Sequence, residues 1–209
     1  MKYILALLTA FFGFAHAAAE QSPEALVKQV TAEVLDAIKG DQKLAAGDRQ
    51  AALKLAEDKV IPHIDFEEAT RLAVGRAWSQ ASPEQKKQLV AEFRKMLVRI
   101  YSSAIQPYEG QTIEVAPVRM KPGDSEATVH NTFKRAGGGR PVGFDYSMRK
   151  TEQGWKIYDI VVEGVSLVLT YRSEFDSLVK QEGVEGLIKR LAAKNTPAAV
   201  GGSAPKSGK

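Results

Sequence analysis

The stretch Gly143-Phe144-Asp145-Tyr146-Ser147-Met148-Arg149-Lys150 alternates residue by residue between apolar and polar. Phe144, Tyr146 and Met148 point one way and Asp145, Ser147 and Arg149 the other, the period of a strand with one buried and one wet face. The segments around it repeat the pattern. Upstream, Glu126 to Lys134 reads as a strand with Val129 and Phe133 on one face, and Ala136-Gly137-Gly138-Gly139-Arg140 is the turn between the two. Further back, Gln111 to Val118 is another strand, separated by the turn Lys121-Pro122-Gly123-Asp124. Downstream, Gly154 to Val162 closes the series, with Ile160, Val161 and Val162 making its end apolar on both faces.

Before these strands the apolar period is that of helices. Ser22-Pro23-Glu24 supplies a cap and a first-turn proline ahead of Leu26, Val27, Val30, Val34, Leu35 and Ile38, and Gly40 ends the run. Asp48 caps a second helix carrying Ala52, Leu53, Leu55, Ala56 and Val60, which Pro62 ends, and Asp65 caps a third through Leu72 and Val74. Ser82-Pro83-Glu84-Gln85 opens the longest helix, with Leu89, Val90, Phe93, Met96, Leu97, Ile100 and Tyr101 on its apolar face. After the strands, a helix is expected from about Ser166 to Gln181, with a shorter one after Gly183. Helices followed by consecutive antiparallel strands predict an α+β fold, with the helices packed on one face of a curved, cone-shaped sheet of about four strands.

The ends set the compartment. Lys2, the apolar run Ile4 to Phe14 and the small residues Ala15-His16-Ala17-Ala18-Ala19 form a secretory signal peptide over residues 1–17, with cleavage expected after Ala17 and Ala19 as the second choice. The run is too short for a membrane helix, and no cysteine follows it to carry a lipid anchor. Residues 18–195 are expected to form one domain, and 196–209, built of Pro, Ala, Gly, Ser and Lys, a disordered tail. The formal charge of +4 falls to +3 with the leader, because Lys2 is its one charged residue. The mildly basic charge reads as a solvated surface, with weak steering toward anionic lipid or an acidic partner as the second reading, and export from the cytoplasm makes nucleic acid a poor partner. With no cysteine in the chain, stability rests on the core alone.

Catalytic constellations are not apparent. Outside the leader there are two histidines, His63 at a helix end and His130 in a strand, and these read as surface or capping residues ahead of a metal pair. The triple glycine lies between strands and is a hairpin loop, not a phosphate cradle. The best candidates for an enzyme are Asp159 and Glu163, since a carboxyl group near apolar strands can become a general base. The alternative for both is an ion pair with Arg172 or Arg149.

Trp155-Lys156-Ile157-Tyr158-Asp159-Ile160-Val161-Val162-Glu163-Gly164-Val165-Ser166-Leu167, followed by Tyr171-Arg172 and Phe175, resembles the signature of the MlaC or toluene-tolerance family. Pro62, Asp65, Gly75, Trp78, Ser82 to Gln85, Phe93, Leu97 and Tyr101 fit the same family in order and approximate spacing, and the resemblance covers about Pro23 to Ala193. It implies a periplasmic phospholipid carrier of the maintenance-of-lipid-asymmetry pathway, with some likeness to the nuclear transport factor 2 fold. Phospholipid is then the cargo, with no cofactor or metal; with no catalytic constellation in the sequence no enzymatic activity is expected, and a monomer is the default for a shuttle. Two docking partners follow: an outer-membrane lipoprotein-porin complex, and an inner-membrane ABC transporter complex with a lipid-binding ring.

On that reading the acyl tails are expected to touch Phe93, Leu97 and Tyr101 from the long helix. From the sheet they touch Val129, Phe133, Phe144, Tyr146, Met148, Trp155, Ile157 and Val162, each of which could equally pack a filled core. The cavity is expected at or above about 1,000 Å³. Gly164 and Ser166 are expected to shape a turn, and Asp159 and Arg172 to be structural, with a pair between the two as one option. The rival readings are a small-substrate enzyme using Asp159 or Glu163, and an envelope adaptor with a solid core.

Overall fold

The computed structural model describes residues 21–102 and 107–196, so the signal peptide expected over residues 1–17 and all but Thr196 of the expected tail lie outside the described residues. The helical part begins with α1 (Pro23–Gly40), whose cap Ser22 accepts from the Ala25 N–H at 3.1 Å. A short α2 (Gln42–Ala45), not expected from the sequence, follows because Asp41 accepts from Lys43 N–H at 2.7 Å and Leu44 N–H at 3.2 Å. Asp48 then caps α3 (Arg49–Lys59), and Pro62 falls in a 3-10 turn, Ile61–His63. Asp65 caps α4 (Phe66–Val74), accepting from Glu68 N–H at 2.9 Å. Before α5 (Pro83–Ser102), Ser82 and Gln85 exchange reciprocal bonds, Gln85 N–H to Ser82 Oγ at 3.2 Å and Ser82 N–H to Gln85 Oε1 at 3.0 Å.

The sheet has five strands in sequential order: β1 (Thr112–Val115), β2 (Glu126–Lys134), β3 (Val142–Thr151), β4 (Gly154–Val162) and β5 (Val165–Ser166). All neighbours are antiparallel. The fifth strand occupies the place where a helix start was expected. Glu163 at φ 48° and Gly164 at φ 83° reverse the chain in two residues with positive φ, the geometry of a tight hairpin, so the chain pairs back on β4 before it can coil. A 3-10 turn, Leu169–Tyr171, leads into α6 (Arg172–Asn195), broken at Gly183, where φ 71° and ψ −179° interrupt the helix.

One irregularity decides which side chains share a face. Between the β3 and β4 pairings Ser147↔Asp159 and Met148↔Ile157, Tyr158 is an extra residue. Trp155 and Ile157 before this bulge, and Ile160 and Val162 after it, therefore lie on the face of Met148, Tyr146 and Phe144, whereas Asp159 pairs with Ser147 on the other.

Two separate cores form. One packs α1 on the sheet: Leu26 and Val27 against Val129, Met148 and Trp155. The other joins α4, α5 and α6, with Ala73, Leu89, Phe93, Met96, Phe175 and Leu187 at its centre. Phe93 stands edge-on to Tyr171 and Phe175, with ring centroids 5.4 Å apart in each case. A charged clamp ties α4 to the sheet: Arg149 reaches Asp65 at 2.7 Å and Glu68 at 3.0 Å, and Arg71 holds Glu68 from the other side.

Candidate functional site

Between the two cores lie two apolar cavities of about 490 Å³ and 330 Å³. The larger is bounded by Val30, Val34 and Ile38 of α1, Leu55 of α3, and Ile113, Phe133, Tyr146 and Ile157 of the sheet. The smaller is bounded by Phe66 of α4, Leu97, Val98 and Tyr101 of α5, and Ile157 and Ile160 of β4. Ala52, Ala56, Val60 and Ile157 belong to both walls. Ala52, Ala56 and Val60 recur every four residues, one stripe of a helix, so α3 is a partition with small side chains facing the space on either side. None of its residues is buried. The single vessel of about 1,000 Å³ expected from the sequence is thus divided into two smaller ones.

The walls are electrically quiet. Burial, then the nearby Lys156, holds the His63 ring below the ordinary histidine range, which favours its neutral form on the wall of the larger cavity. Burial raises the Tyr146 hydroxyl above the usual phenol range. Tyr101, on the smaller cavity, is raised well above the usual phenol range by burial, with Tyr171 adding to it. Asp159 borders the smaller cavity, but its carboxylate is engaged locally. It accepts from Ile160 N–H at 2.8 Å, from Val168 N–H at 3.1 Å and from the Ser166 hydroxyl.

Those contacts correct the ion pairs expected for the acids. Asp159 is not paired with Arg172, whose guanidinium lies against Gly75, and Arg149 is taken by Asp65 and Glu68. Glu163 is exposed at the hairpin, 3.7 Å from Arg140. Ser166 does shape the turn: besides donating to Asp159 it accepts from Leu169 N–H at 2.9 Å. His130 lies 2.8 Å from Asp145, and no group of metal-binding side chains occurs among the described residues.

Of the residues expected to touch tails, five line the cavities: Phe133 and Tyr146 the larger, Leu97 and Tyr101 the smaller, and Ile157 both. Phe93 is fully buried in the helical core, and Val129, Met148 and Trp155 are buried beneath α1. The three sheet residues are packed by Leu26 and Val27 of α1, and Phe93 by Tyr171 and Phe175. Phe144 and Val162 pair across β3 and β4 beside the cavity wall, with Phe144 edge-on to Tyr146 at 5.3 Å. The α1 and α3 wall residues were read from the sequence only as helix faces. The legible signal was the alanine pair, Ala52 and Ala56, on the apolar side of a helix whose opposite stripe, Gln50, Lys54 and Asp58, is polar.

The MlaC protein family model matches residues 28–193. The chain belongs to the MlaC family. Among its relatives is the intermembrane phospholipid transport system binding protein MlaC of Haemophilus influenzae, 23% identical over 88% of this chain and 87% of that one. The toluene tolerance protein ttg2D of Pseudomonas putida is 24% identical over 86% of this chain and 82% of that one. A solved structure of a phospholipid-binding protein from Ralstonia solanacearum, in complex with a phospholipid, aligns with a TM-score of 0.73 and 37% identity, covering 85% of this chain and 97% of that one. The MlaC family thus supplies a fold-level match through the helices that bound the cavities and the sheet that floors them.

Proposed function

We propose that this chain is a phospholipid-binding shuttle of the periplasm, holding acyl tails in the two cavities on either side of α3. The observation that carries the reading is the apolar space left between two well-packed cores. Two acyl chains carry on the order of 30 methylenes, each worth about 0.8 kcal/mol when removed from water, so exposed tails would cost roughly 20 kcal/mol. A carrier must enclose them in walls without fixed polar demands, and Val30, Val34, Phe133, Leu97 and their neighbours meet that need. The phospholipid-bound Ralstonia structure, at 37% identity, supports the same reading.

The shuttle runs between an outer-membrane lipoprotein-porin complex and an inner-membrane ABC transporter complex, in keeping with the intermembrane transport system named for the Haemophilus relative. Tails rest in similar surroundings in the cavity and in a bilayer, so exchange is close to thermoneutral and its direction comes from the ATP-driven partner. It acts by binding and not by catalysis, since Asp159, the one carboxylate that the described residues bring to either apolar cavity, is committed to Ser166 and two backbone N–H groups.

The test is native mass spectrometry of the protein purified from the periplasm, with lipid extraction from the same sample. Near-stoichiometric phospholipid, lost from a folded Ala56→Trp variant, is the expected result. A clean unliganded mass, with no uptake from liposomes, would remove the carrier reading and favour a protein adaptor.

A further inference from the structure

A third concavity of about 330 Å³ opens between α3 and α5 at the end of α6, and its chemistry is opposite to that of the other two. Arg49 of α3 and Arg94, Lys95 and Arg99 of α5 line it, with Glu57 as the one acid on its wall among the described residues. Part of that charge is answered. Arg94 pairs with Glu57 at 2.5 Å, and Lys95 with Glu92 at 2.7 Å, where Asn195 also donates to Glu92 at 2.8 Å. Arg49 makes no ion pair among the described residues, so the groove keeps an unanswered guanidinium beside those two pairs.

The groove shares its back wall with the smaller apolar cavity. Leu53 and Val98 line both, and the Arg94 guanidinium stacks over Phe66, which lines the cavity, with 5.6 Å from its central carbon to the ring centroid. The helix period produces this arrangement. On α3 the stripe Arg49, Leu53, Glu57 faces the groove while Ala52, Ala56, Val60 faces the cavities, and on α5 the cations Arg94 and Lys95 flank the apolar Leu97, Val98 and Tyr101. A cationic seat backed by an apolar chamber across two side chains is complementary to an amphiphile with an anionic head.

We propose that this groove seats the phosphate of an anionic lipid whose acyl part occupies the smaller cavity, giving the protein a preference for negatively charged headgroups. This rests on the shuttle reading above. Guanidinium groups bind phosphate oxygens in pairs, and an exposed pair such as Arg94–Glu57 is weak enough to be exchanged for one. Glu57 opposes the incoming charge and so limits the preference.

The experiment loads the delipidated full-length mature chain from vesicles holding equimolar dioleoyl phosphatidylglycerol and dioleoyl phosphatidylcholine. Tails and vesicle charge are then common to every measurement, and native mass spectrometry reads the lipid bound. Phosphatidylglycerol is expected to exceed phosphatidylcholine by about threefold, the ratio one exposed ion pair supplies. Arg49→Gln and Arg94→Gln together bring the ratio near one by lowering phosphatidylglycerol loading more than phosphatidylcholine loading, and Glu57→Gln raises it, a gain that misfolding cannot imitate. Equal loading of the two lipids by the unsubstituted protein, or a ratio insensitive to all three changes, overturns the headgroup seat and leaves the shuttle standing. Loading of neither lipid overturns both. Thermal stabilisation by inorganic phosphate that Arg49→Gln abolishes, without any lipid preference, would make the groove a free-anion site and overturn the lipid assignment.

Discussion

The α4–α6 core and the space beside it draw on the same residue types, yet one is filled and the other is not. In the core, Phe93, Phe175, Leu89 and Leu187 are fully buried, and the aromatic rings meet edge to face. In the cavity region the apolar residues of α1 beyond Val27 are only half-buried, and α3 buries nothing fully. The contrast comes from side-chain size on facing helices. Large residues of α5 and α6 interdigitate, whereas α3 offers Ala52 and Ala56 to walls too far away to touch. Rigidity and capacity are thus assigned to different helices of one domain.

The sharpest way to break this comparison is to remove a large side chain from each region. Phe93→Ala should destabilise the protein by about 4 kcal/mol in chemical denaturation, because it leaves a cavity in a filled core. Lipid bound per folded molecule should be unchanged. A loss well below that would show the helical core to be loose as well. Next in size is the clamp that fixes the helical half to the sheet: Arg149→Met should cost about 2 kcal/mol, since Asp65 and Glu68, both largely buried, lose charged hydrogen bonds. Chemical denaturation reads this too, and a neutral result would mean that Arg71 alone satisfies Glu68.

In the hollow the same kind of intrusion should be tolerated. Ala56→Trp should cost less than about 1 kcal/mol, below the range for overpacking a filled core, while cutting phospholipid loading severalfold. A full overpacking penalty would mean that α3 is packed and not a partition. The smallest effect concerns His63, whose folded pKa lies below the 6.5 of the free side chain. Below about that pH the unfolded chain takes up a proton that the folded chain resists, so this contribution to stability is present at neutral pH and declines on acidification. Melting temperatures recorded downward from neutrality should show a shallower decline in His63→Gln than in the unsubstituted protein.

Much of the local structure was legible. The spans Glu126–Lys134 and Gly154–Val162 coincide with β2 and β4, and the caps Ser22, Asp48, Asp65 and Ser82 each hold the helix they announce. Such features are decided within a few residues, by a side chain reaching a nearby backbone N–H or by a period of two. The misses have a common cause. In the sequence, Gly164 and Ser166 shape a strand-to-helix turn with the helix from about Ser166, because Glu163 and Gly164 do not announce a positive φ as a pair, and the set expected to touch tails mixes cavity walls with core because both demand apolar residues.

From the sequence alone came the class of the domain, the order and caps of its helices, the pairing of its main strands and its family. Periodicity and capping are local, and a short signature survives in linear order. Tertiary structure decided that the bulge at Tyr158 carries Ile160 and Val162 back to the face of Tyr146, that α1 covers Val129, Met148 and Trp155, and that α3 divides the remaining space. Whether an apolar side chain packs a core or lines a cavity depends on the distance to a helix far away in the chain, and no local pattern encodes that distance.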